Sequence, residues 1–188
     1  KTLATLSIYL NQSQITGYQN FESAWGYQCA SNKYRDILLV RFDLAVTTAN
    51  ATLTGVTINT SGTYVASDLS NLKCWYSADN SFSSSTDALL STKSSSLGSG
   101  SHVFPGFTNQ IIASGNTGYI FITADVPFGS TVGNAISVSA VDTGNLTFSS
   151  GTKSGSTNAS GTKTIVACTP TNATSLVLTA GSTQLTVS

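Results

Sequence analysis

The chain has no methionine, three prolines, one histidine and very little charge. Only 9% of its 188 residues are Asp, Glu, Lys or Arg, where about 25% is usual. Eight basic and eight acidic residues cancel. No basic stripe stands out, so nucleic acid and anionic membrane surfaces are not expected partners. No apolar run approaches the ~20 residues of a membrane-spanning helix. No signal peptide is visible. Lys1-Thr2-Leu3 leads directly into an alternating stretch, which fits a processed or excised chain. Cys29, Cys74 and Cys168 are far apart and His102 has no second histidine to help it, which argues against zinc. Glu22 is the single glutamate. The aspartates are scattered singly, so the paired carboxylates of a glycosidase are missing.

What is present is a core and many hydroxyls. Hydrophobic residues make up 40% of the chain, and serine and threonine roughly a third. Hydroxyls in place of charges suit a secreted protein. The most regular stretch is 118–141. Ile120, Ile122 and Ala124 alternate with Tyr119, Phe121 and Thr123, and Ile136, Val138 and Ala140 alternate after a break at Pro127 and Gly129. That pattern predicts a β-hairpin buried on one side.

Residues 2–10 (TLATLSIYL) and 36–46 (DILLVRFDLAV) also read as strands. In the second, Leu38, Val40, Phe42 and Leu44 share a face. Further strands are expected at 53–59, 72–77, 88–93, 102–107, 110–113, 146–149 and 163–167. Residues 11–35 read as a long connection with a short helical turn near Phe21–Trp25. Residues 94–101 and 149–161 are low-complexity loops. Turn signals fall about every ten residues without a convincing helix, the signature of an all-β fold. The expected architecture is an antiparallel β-sandwich, Ig-like or jelly-roll-like, over residues 1–167. A β tail follows at 168–188, with strands around 175–179 and 184–188.

Each candidate site has a plainer reading. His102 would need a nearby Ser or Cys and an orienting carboxylate to act as a base; a surface histidine at a strand end is the simpler expectation. Asp79 and Asp87 are calcium candidates across one loop, but Asx-turn capping explains them as well. Cys29 and Cys74 are candidates for a disulfide in an oxidising compartment. Otherwise Cys74 is a small buried hydrophobe and Cys29 a loop thiol. Trp25, Tyr27 and Trp75 are candidates for a glycan platform, since sugars stack on exposed rings; the same rings can instead plug one side of the sandwich. Leu3, Leu6 and Ile8 at one end, and Leu176, Leu178, Leu185 and Val187 at the other, could add to a foreign sheet edge. Their plainer roles are a strand in the chain's own sheet and the opening of a next domain. No catalytic residue and no cofactor is expected.

Residues 54–100 (TGVTINTSGTYVASDLSNLKCWYSADNSFSSSTDALLSTKSSSLGSG), 118–141 and 148–165 together resemble a β-sandwich module repeated in large secreted surface proteins of Bacteroidetes. The module is similar to the non-catalytic amino-terminal sandwich ahead of some bacterial sialidase propellers. The tail PTNATSLVLTAGSTQLTVS resembles the first strands of a fibronectin type III domain. The resemblance implies an exported, extracellular, multidomain protein, a type IX secretion substrate working in adhesion, gliding or a cell-surface filament. Its implied partners are neighbouring domains or subunits of the same protein. A carbohydrate-binding module attached to a glycosidase is the alternative, with glycans as partners.

Overall fold

The computed structural model describes the backbone of residues 7–13, 21–23, 35–167, 176–177 and 186–187, and side chains over 35–166. The fold is all-β, an antiparallel sandwich of two sheets. Its strands are β1 (Ser7–Ser13), β2 (Phe21–Ser23), β3 (Ile37–Val46), β4 (Ala51–Gly62), β5 (Asn71–Ser77), β6 (Ala88–Lys93), β7 (Gly100–Val103) and β8 (Gln110–Ile112). After these come β9 (Thr117–Asp125), β10 (Ala135–Val138), β11 (Leu146–Phe148), β12 (Thr152–Gly155), β13 (Lys163–Ala167), β14 (Leu176–Val177) and β15 (Thr186–Val187).

The first sheet has six strands in the order β12-β1-β3-β9-β5-β6. The second has seven. Its centre is β4, which pairs with β7, β8, β10 and β11, each over part of its length. Beyond β10 lie β13 and then β2. β14 and β15 form a separate two-stranded sheet. Between the two large sheets Val40, Phe42 and Leu44 of β3, Ile120 and Ile122 of β9, and Leu72 and Cys74 of β5 meet Leu53, Ile58, Ile112, Ile136 and Val138. Phe42, Leu44, Leu53, Ile58, Ile120 and Leu72 are wholly buried. These β-branched and aromatic alternations suit a pleated surface with one face against a core.

The structure corrects several sequence expectations. β9 and β10 do not form a hairpin. β9 pairs with β3 and β5 in one sheet, β10 with β4 and β13 in the other. The stretch between them arches across the core. Alternation reports a buried face, not which strand lies alongside. The outer face of β9 is also covered, since Phe121 and Thr123 are as buried as Ile120. In β3 the register shifts between Leu38 and Val40, so Leu39 is the extra residue of a bulge and is buried. Phe21–Ser23, expected in a helical turn, is a strand parallel to β13. Thr152–Gly155, expected in a low-complexity loop, is a strand parallel to β1.

Candidate functional site

The outer face of the first sheet carries a cluster of paired charges beside a cleft. β5 presents Lys73 and Trp75, and β9 presents Thr123 and Phe121 directly opposite them. Asp36 precedes β3 and Asp125 ends β9. Because Ile37 pairs with Ala124, these two aspartates meet at the same corner. Lys73 Nζ donates to Asp36 Oδ1 at 2.8 Å and to Asp125 Oδ1 at 3.0 Å. The Asp36 amide donates to Asp125 Oδ1 at 2.9 Å, and Asn71 Nδ2 to Asp125 Oδ2 at 2.8 Å. Asp36 has φ +57, a left-handed conformation that aspartate tolerates better than most residues. Burial pulls the Lys73 ammonium down, but hydrogen bonds and charge from Asp36 and Asp125 outweigh it and hold its pKa above the usual lysine value. Lys73 is thereby held as a cation between the two carboxylates.

The loop of residues 78–87 closes over this face. Asp79 Oδ1 accepts from the Ser81 amide and Asp87 Oδ2 from the Ser83 amide, both at 2.8 Å. Arg41 Nη1 donates to the Asn80 carbonyl at 2.9 Å. So fixed, the loop sets Phe82 edge-on to Trp75, with centroids 5.5 Å apart, and equally close to Phe121. Trp75 is left 6% exposed, and its Nε1 donates to Thr123 Oγ1 at 2.9 Å. Beside Phe82 a cleft of about 550 Å³ opens, lined by Arg35, Asp36, Phe82, Ser83, Ser84 and Ser85. It offers the Arg35 cation, the Asp36 carboxylate already paired with Lys73, one ring and three hydroxyls.

The remaining sequence candidates lie elsewhere. Trp75 sits beneath Phe82 and presents no open ring face, while Trp25 and Tyr27 fall outside the described residues. Cys74 is a free thiol facing the core and wholly buried. Burial pushes its pKa far up, so it is held as an inert thiol. Cys29 lies outside the described residues. Asp79 and Asp87 are engaged in the two loop turns, and among the described residues no three His, Cys, Asp or Glu side chains gather as a metal site. Ile8 lies in β1, flanked by Val46 of β3 and Lys153 of β12, and Leu176 pairs with Val187. Leu3, Leu6, Leu178 and Leu185 fall outside the described residues.

His102 corrects the expectation of a surface histidine, since it is 1% exposed. As the third residue of β7 it points inward, opposite Ile58. Thr60 Oγ1 lies 2.8 Å from its Nε2 and 2.5 Å from the Tyr64 hydroxyl. Its Nδ1 makes no hydrogen bond of normal geometry. Burial, together with the charge of Lys93, pushes its pKa below the usual histidine value. Thr60 is also buried, so this hydroxyl–imidazole contact is closed to substrate.

The Asp36–Lys73–Asp125 corner and the Arg35–Phe82 cleft were not read from the sequence. One signal was there, a lysine between Leu72 and Cys74 in an apolar strand. Its partners depend on the β3–β9–β5 register, which only the sheet supplies. No protein-family model matches the chain, and no curated protein matches it.

Proposed function

We propose that this chain is a non-catalytic structural and adhesive module of a bacterial cell-surface protein or filament, exported and acting outside the cell. The observation that carries this reading is the state of its aspartates. All seven aspartates are among the described residues, and each is held by the fold. Asp36 and Asp125 bind Lys73. Asp43 pairs with Arg41 at 3.3 Å. Asp68 accepts from the Val65 and Thr131 amides and from Asn134. Asp79, Asp87 and Asp142 each accept from a backbone amide within four residues. Each of these carboxylates thus has an oxygen taken up in holding the fold. A hydroxyl-rich, charge-poor composition and the resemblance to secreted sandwich repeats point the same way.

The test is turnover and assembly of the purified chain. Sialosides and peptides should remain intact. Turnover abolished by His102→Ala or Glu22→Gln would overturn the non-catalytic reading. Sizing chromatography and negative-stain imaging of the full chain and of one ending at Ala167 then divide the two structural forms. Fibres from the full chain alone make it a filament subunit joined through its tail; monomers from both make it one bead of a longer surface protein.

The Arg35–Phe82 cleft favours a second reading, a carbohydrate-binding module. Its ligand would be an acidic sugar, with Arg35 on the carboxylate and Ser83–Ser85 on hydroxyls. Titration with uronate and neutral oligosaccharides checks it. Heat of binding lost in Arg35→Ala supports it, and none with either sugar class removes it.

A further inference from the structure

The two ends of the sandwich run side by side in the same direction. In the first sheet β1 is parallel to β12, from Ser7 opposite Thr152 to Leu10 opposite Gly155. In the second sheet β2 is parallel to β13, from Phe21 opposite Ile165 to Ser23 opposite Ala167. The register slips by a single residue between the two pairings.

The carboxy-terminal half of this arrangement is one extended run. After β12, Ser156 bridges Asp142 in antiparallel fashion. The Thr157, Ser160 and Ile165 amides then donate to the Val141, Val138 and Asn134 carbonyls, each at 2.8 Å. The chain from 152 to 167 therefore travels one way, antiparallel to 133–142, and passes from one sheet into the other. Both described strands before residue 35 accompany it, one in each sheet.

This geometry decides how tension acts. Force enters the sandwich at the start of β1 and leaves at the end of β13. Because the paired segments are parallel, those points lie at opposite poles, and the pull runs along the strands. Extension then requires sliding one segment past the other. The evenly spaced bonds of a parallel ladder share that strain at once, instead of opening one at a time from an end. β1 is gripped on its other side as well, by β3 over six residue pairs.

We propose that the sandwich is a tension clamp, in which β1 on β12 and β2 on β13 carry force between the two termini in shear. The use of such a clamp rests on the structural-module reading above; its existence does not, because it is read on the isolated chain. Forced unfolding reports the unfolding barrier along the pulled direction, so the direction is the variable to change.

The experiment is single-molecule pulling of a polyprotein of the full chain in two linkages. The first joins the two ends of this 188-residue chain. The second joins the carboxy terminus to a ligation handle inserted after Ser95, an exposed residue just beyond β6. β6 runs in the same direction as β1 and β12 through the alternation of the sheet, so both handles then sit at one pole and pull across the strands. Unfolding between the two chain ends should need several-fold more force than in the crosswise linkage.

Val166→Pro sharpens the test. Ile165 gives both its amide and its carbonyl to 133–134 on the β10 side, so the Val166 amide faces β2, and proline there removes a bond of the clamp. It should lower the force between the termini and leave the crosswise force unchanged. Equal forces in the two linkages, or a terminal force untouched by Val166→Pro, would overturn the proposal. If the variant fails to fold, comparison of the two linkages on the native chain decides alone.

Discussion

Asp68 joins two loops that link the sheets in opposite senses. Its carboxylate takes the Val65 amide at 2.9 Å, the Thr131 amide at 2.7 Å and Asn134 Nδ2 at 2.8 Å, and the residue is 1% exposed. Burial alone would raise its pKa, but the donors from Asn134, Thr131 and Val65 outweigh it and hold the carboxyl below its ordinary value. Asp68→Ala leaves those donors unpaired in a buried place, and denaturant melts should show a loss of about 2–4 kcal/mol. A depressed pKa adds stability above the unfolded value of about 3.9 that disappears as pH falls through the folded value. Asp68→Asn should flatten that acid limb of the stability curve. His102 works in the same sense at milder pH. Its folded pKa lies below the unfolded one, so folding favours the neutral ring. Stability should be complete above about pH 6.5 and decline as the unfolded state takes up its proton below that value. Urea melts of the native chain at pH 7.5 and 5.5 should differ, and that difference should shrink in His102→Gln. Neither role was legible in the sequence. Asp68 looked like any loop aspartate, and His102 like a strand-end residue in a serine-rich stretch. What makes each matter is a partner far along the chain.

At the scale of elements, the end of β4 shows how closely two strands can approach. Gly62 has φ +127 and pairs with Ile136 at the start of β10. A Cβ there would stand 2.1 Å from the Ala135 carbonyl oxygen. Gly62→Ala therefore meets both a backbone conformation and a contact that only glycine accepts. It should loosen the β4–β10 pairing, read as faster exchange of the Ser139 amide, which donates to the Asn59 carbonyl of β4 at 2.8 Å, and a lower melting temperature. The strands with strong alternation, β3, β5 and β9, were visible in the sequence because each has apolar residues in a regular series. β12 was not, since Thr152–Gly155 holds no apolar side chain and owes its strand form to β1 alongside. β2 was missed for a related reason, being three residues long and defined by its pairing with β13. The arch between β9 and β10 reads as a hairpin in the sequence because Pro127 and Gly129 mark a reversal equally well in either case.

For the whole molecule, the described residues behave as one sandwich with a separate two-stranded sheet after it. β14 and β15 pair with each other. A chain ending at Ala167 should keep its melting midpoint within about 2 °C, less than ~1 kcal/mol at this size. A larger drop in calorimetry would show that the tail packs on the sandwich. The sequence by itself determined the class of fold, for a physical reason. Period-two alternation with frequent Gly, Ser and Asn turns leaves a chain no way to bury its apolar residues except in facing sheets. Only the tertiary structure decided which sheet each strand joins, which face of β9 is doubly covered, where Lys73 finds its two carboxylates, and that the first and last strands run parallel. Those are matters of register and long-range pairing. A period of two repeats identically under every such arrangement, so the pattern could not choose among them, and packing did.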